Sequence, residues 1–129
     1  MAVANITNQY LQIGETITTT GSLTFTGNGT NVVNYTLNKT GDSYTLSITP
    51  CMGIVSSQGT ITSPNPFNTT QTITSQILVI STNGTQTTGI FQMTPTTIII
   101  YSSINGTPFT TDAVHQQGWQ NSIIINFSL

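Results

Sequence analysis

Polar and apolar residues alternate strictly along much of this chain. Leu23 and Phe25 are flanked by Ser22, Thr24 and Thr26. Val33, Tyr35 and Leu37 are separated by Asn34 and Thr36. Tyr44, Leu46 and Ile48 interleave with Ser43, Thr45, Ser47 and Thr49. A period of two is the pattern of a β-strand with one face in a core and one in water. Turn chemistry falls between such runs. Asn28-Gly29, Asn83-Gly84 and Asn105-Gly106 are each followed by Thr. Asn-Gly tolerates positive φ and closes tight hairpins. Residues 38–42, with Gly41, read as a further hairpin loop. Ser63-Pro64-Asn65-Pro66 reads as a loop, because Pro cannot sit inside a central strand. Residues 110–118 show no period and read as a long loop, with a possible turn over 112–116. The pattern predicts about eight strands and no regular helix. Residues 1–20 are polar and Thr-rich and read as a lead-in or an edge strand; residues 21–129 read as a single domain.

Three runs depart from the alternation: Ile77-Leu78-Val79-Ile80, Ile98-Ile99-Ile100-Tyr101 and Ile123-Ile124-Ile125. A strand apolar on both sides needs cover on both faces. One face packs in the domain's own core. No amphipathic helix is available for the other, so a second copy of the chain is the economical cover. Each Ile-sized side chain left in water forfeits roughly 1.5–3 kcal/mol relative to burial. Ile99, Tyr101 and Ile124 are therefore the expected interface residues. The alternative is that the domain's own loops cover these strands.

Composition sharpens this picture. Of 129 residues, 28 are Thr, 12 Ser, 12 Asn, 10 Gln and 17 Ile. Thr and Ile are stiff at χ1 and favour the pleated backbone. Charged residues make up only 3%, with Lys39 the one Lys or Arg and a net charge of -2. One cation cannot neutralise a nucleic-acid backbone or hold an anionic membrane surface. No apolar run approaches a membrane span. The N-terminus has neither the basic start nor the apolar block of a signal peptide. Cys51 is alone, which excludes an internal disulfide. With so little charge, uncharged β-rich segments have weak protection against clumping, and a closed oligomer supplies it. Few groups titrate, so stability should be nearly flat with pH from about 4 to 9.

The order of strands and turns resembles a known family. It runs through Asn34–Gly41, Ser43–Pro50, Ile61-Thr-Ser-Pro64, the Pro66-Phe67 loop and Ile77–Ile80 with Asn83-Gly84. It continues through Gly89-Ile90-Phe91, Thr97–Tyr101, Phe109-Thr110, Gly118-Trp119 and Ser122–Asn126. Over residues 21–129 this resembles the trimeric head domains of fibre and collagen-like proteins of large DNA viruses and phages. Those heads are jelly rolls similar to the complement-type and tumour-necrosis-factor-like domains. The resemblance implies an all-β antiparallel sandwich of jelly-roll type, a homotrimer, a place on the virion surface and attachment to a host receptor or glycan. No Gly-X-Y stem occurs in residues 1–20. The alternatives are a minor capsid or cement-type protein and a cellular carbohydrate-binding module.

Candidate chemistry is thin. His115 is the one imidazole and Asp112 lies three residues before it. With Ser and Thr everywhere, a triad built on the pair is chance-level. Glu15, Asp42 and Asp112 are far apart, so no metal or cofactor is expected. Eight Asn-x-Ser/Thr triplets occur and are read as strand and turn chemistry. Trp119, the one Trp, is surrounded by Gln116, Gln117, Gln120 and Asn121. Either Trp119 and Gln117 bind a sugar, ring face to C–H and amide to hydroxyl, or Trp119 is a core or interface residue.

Overall fold

A computed structural model describes residues 15–128 as an all-β domain, 65% of it in strands. The strands are β1 (Thr16–Thr26), β2 (Thr30–Thr40), β3 (Ser43–Ile48), β4 (Cys51–Val55), β5 (Ile61–Pro64), β6 (Ile73–Ile80), β7 (Gln86–Met93), β8 (Thr97–Tyr101), β9 (Asp112–Trp119) and β10 (Ile123–Ser128). They form one antiparallel sheet in the order β10-β3-β2-β1-β5-β8-β7-β6-β9-β4. The sheet curls on itself, so that β10 approaches β6 and β4 approaches β2. Its two halves share one core, as the edge-to-face contact of Phe25 on β1 with Trp119 on β9 shows, ring centres 5.0 Å apart.

The alternating runs behave as their period requires. Leu23, Phe25, Val33, Leu46, Ile48, Ile123 and Ile125 point inward from one half. Val55, Ile61, Val79, Phe91, Met93, Ile98, Ile100 and Trp119 meet them from the other. The β1–β2 register pairs Thr16 with Thr40 and runs unbroken to Thr26 with Thr30. Of the Asn-Gly pairs, 28–29 and 83–84 close hairpins. Asn105-Gly106 instead turns a long loop between β8 and β9.

The strand count is ten, not eight. Residues 112–118, read as loop, belong to β9 together with Trp119, and its partner β4 was also missed. Both carry interruptions that hide the period. Gly53 breaks the apolar pattern of β4. On β9, four residues (113–116) separate Asp112 from Gln117, while their β4 partners Val55 and Gly53 are separated by Ile54 alone. In place of the turn expected near 112–116 the strand carries a bulge. Residues 16–20 belong to β1, beside β2; residues 1–14 of the expected lead-in, and Leu129, lie outside the described residues.

Candidate functional site

Trp119 and Gln117 are fully buried. The Trp119 indole N–H donates to the Thr49 carbonyl at 2.9 Å, and its ring meets Phe25 in the core. It presents no face to a sugar, so the core reading describes it. Gln117 donates through Nε2 to the Thr110 carbonyl at 2.7 Å, while its Oε1 has no partner among the described residues.

Around Gln117 lies a buried polar knot that the sequence reading missed. Asn28, at the tip of the β1–β2 hairpin, is fully buried against β4 and β9. Its Nδ2 donates to the Gln117 carbonyl at 2.8 Å and lies 3.7 Å from Cys51 Sγ. Asn31 Nδ2 donates to the Asn28 carbonyl at 2.9 Å. Two glycines permit the close packing, Gly53 against the hairpin tip and Gly118 against the backbone of β4. A Cβ on Gly53 would lie 1.9 Å from the Asn28 carbonyl oxygen. One on Gly118, at φ +145°, would lie 2.0 Å from the Cys51 carbonyl oxygen. Asn28-Gly29 is thus a plug that ties one half of the sheet to the other. Replacing Asn28 by Ala should cost about 1–3 kcal/mol, because the buried Gln117 carbonyl loses its donor; urea unfolding measures it. Burial pushes the Cys51 thiol up from its ordinary pKa, against the hydrogen bond of Asn28. The thiolate is the reactive form, so Cys51 should resist thiol reagents in the native protein and react on unfolding.

The titratable pair is at the surface. Asp112 Oδ1 accepts from the Val114 and His115 backbone N–H groups, each at 2.9 Å, and Oδ2 lies 3.0 Å from His115 Nδ1. Those backbone donors, more than the imidazole, lower the carboxyl to about 2. His115 makes no side-chain hydrogen bond with a hydroxyl or thiol among the described residues. The pair holds the β9 bulge in shape. A carboxyl lowered in the folded state lends stability above its unfolded pKa of about 4. That stability is lost as pH falls from about 4 to about 2. The melting temperature should therefore stay level above pH 4 and drop below it. In Asp112→Asn the acid-side drop should shrink, which calorimetry across that range would register.

No group of three or more His, Cys, Asp or Glu is placed to hold a metal among the described residues.

The surface is more distinctive than any cleft. Ile99 and Tyr101 lie half-buried on the outer face of β8; Tyr101 is near Ile90 and the exposed Ile104, and Ile99 sits between Thr62 and Gln92 of the neighbouring strands. Tyr101 donates its hydroxyl to Gln92 Oε1 at 3.3 Å. Ile124 is elsewhere. It is 62% exposed on β10 and shares a groove of about 170 Å³ with Ile77 and the 53% exposed Leu78 of β6. The three expected interface residues thus fall on two separate apolar patches.

The outer face of β10-β3-β2-β1 is different again. Its side chains form rows across the strands: Thr16-Thr40-Ser43-Ser128, Thr18-Asn38-Thr45-Asn126 and Thr20-Thr36-Ser47-Ile124. Hydrogen bonds link neighbours within rows. The Thr16 and Thr40 hydroxyls are 2.7 Å apart, Thr18 donates to Asn38 Oδ1 at 2.7 Å, and Thr45 donates to Asn126 Oδ1 at 2.8 Å.

No family model matches the chain, and no curated protein matches its sequence.

Proposed function

We propose that this protein is a non-enzymatic, homotrimeric head of jelly-roll type on a virion surface, serving attachment to a host receptor or glycan. The observation that carries the reading is the pair of separate apolar patches, one around Ile124 and Leu78 and one around Ile99, Tyr101 and Ile104. A two-fold dimer joins a patch to its own copy. A ring joins one patch of each subunit to a different patch of the next. Two unlike patches on one subunit suit a closed ring, and the number three is drawn from the resemblance to trimeric heads. The virion setting is drawn from the resemblance of residues 21–129 to viral heads. The charge-poor surface fits a particle exposed to an uncontrolled outside medium, since little on it titrates.

Light scattering on the purified protein tests the assembly. The expected mass is about 41 kDa, three times the 13.8 kDa chain. A stable monomer at micromolar concentration would overturn the trimeric head. Labelled antibody on virions then separates a spike-tip location from a shell lattice.

A further inference from the structure

We propose that the outer face of β10-β3-β2-β1 binds a neutral, hydroxyl-rich polysaccharide. This names the ligand class for the attachment reading, on which its biological role rests. The Thr18 row presents hydroxyl and amide groups from four adjacent strands and the Thr20 row hydroxyls from β1, β2 and β3; Ile124 ends the Thr20 row on β10, where the face gives way to the proposed subunit contact. Strand spacing puts these groups about 4.8 Å apart across the sheet and about 6.7 Å apart along it. The result is a two-dimensional array of donors and acceptors. The array is pre-ordered: β-branched Thr has few rotamers, and the hydrogen bonds of 2.7 and 2.8 Å within the Thr18 row hold its members in place. Little side-chain freedom then remains to be lost on binding. Beside the array is a shallow depression of about 460 Å³, lined by Thr20, Gly21, Ser22, Asn34, Tyr35 and Thr36.

Charge selects the partner. The rows hold no ionisable side chain. Lys39 belongs to the opposite face of β2, its ammonium 5.8 Å from the Tyr44 ring centre, and Asp42 sits in the β2–β3 turn. An anionic chain would lose hydration here without gaining a counter-charge. A membrane surface wants cations and a broad apolar face. Protein partners favour Tyr, Trp, Met and Arg, and Ser is depleted at their interfaces. A neutral sugar chain fits each point. Its hydroxyls both donate and accept, as those of Thr and Ser do, and the Thr methyls can lie against its C–H faces. Each contact is weak, so a trimer presenting three such faces gains by multivalency.

The test is retention of the full chain on gels carrying yeast mannan, a neutral β-glucan or heparin. Retention is expected on at least one of the two neutral polymers. It should be unchanged between about 0.05 and 0.5 M salt, because no ion pair is screened. The variant Thr18→Val/Thr20→Val/Thr45→Val keeps side-chain shape and strand preference and should bind at least about tenfold more weakly, a difference of about 1.4 kcal/mol. Thr62→Val/Thr97→Val, on the outer faces of β5 and β8, should bind as the parent does. Melting curves confirm that both variants fold. Failure to bind either neutral polymer, retention on heparin alone, or full retention of the triple variant would each overturn the proposal. Light scattering on the same samples keeps the two readings apart. A trimer that ignores both neutral polymers sinks the ligand class alone, and a retained monomer sinks the trimeric head alone.

Discussion

Replacing Trp119 by alanine is expected to destabilise the domain by about 3–5 kcal/mol. The indole is the largest fully buried side chain. Its loss empties the space between the halves of the curled sheet and removes the edge-to-face contact with Phe25, itself fully buried. It also leaves the Thr49 carbonyl without its indole donor at 2.9 Å. For a chain of this length the shift in melting temperature should be roughly 10–20 °C. Thermal unfolding followed by circular dichroism measures it. A shift below about 3 °C would mean that the ring contributes little to the core. Trp119→Phe keeps most of the volume and should recover much of the loss, though not the hydrogen bond to Thr49.

The second large effect concerns assembly. If the proposed trimer is built on this groove, Ile124→Asp combined with Leu78→Asp should convert it to monomer without unfolding the domain. Both side chains point away from the core, at 62% and 53% exposure, so the substitutions leave its packing intact. In an assembled ring each would place a carboxylate in a contact that has no cation to pair with it. Charge buried without a partner is costly, and the apolar contact is lost as well, roughly 1.5–3 kcal/mol per side chain. At 1.4 kcal/mol per factor of ten, each interface weakens by at least about a hundredfold. Sedimentation velocity at micromolar concentration reads the change in mass, and far-ultraviolet circular dichroism checks the fold. Undiminished association would show that this groove is not part of the subunit contact. Ile99→Asp, on the other patch, should have the same effect if unlike patches meet. In a two-fold dimer built on the Ile124 groove it would not.

Legibility in the sequence follows the strength of the local pattern. β1, β2 and β3 read clearly because each keeps its period over many residues and is closed by Gly-containing turns. β4 and β9 did not, because Gly53 and the 113–116 bulge erase the alternation, and pairing between strands so distant in sequence leaves no local trace. The continuous Ile runs were read as needing cover on both faces. In the fold, Ile98, Ile100, Ile123 and Ile125 face the core, while Ile99 and Ile124 turn outward. The run itself does not say which of its members face out. The amides around Trp119 looked like a binding surface, yet the indole is buried against Phe25 and Thr49 and Gln117 lies under the Asn28 hairpin tip, 89 residues distant in the chain.

By itself the sequence determined an all-β domain, its main turns, its missing charge and the hydroxyl-rich character of its wet side. These follow from residue preferences and short-range period, which act within a few residues. The tertiary structure alone decided that the sheet has ten strands, that its halves share one core around Trp119, and that the apolar outer residues form two patches. It also aligned Thr, Ser and Asn from four strands into rows. Such features depend on register and curvature between distant segments, and those are set by the packing of the whole chain.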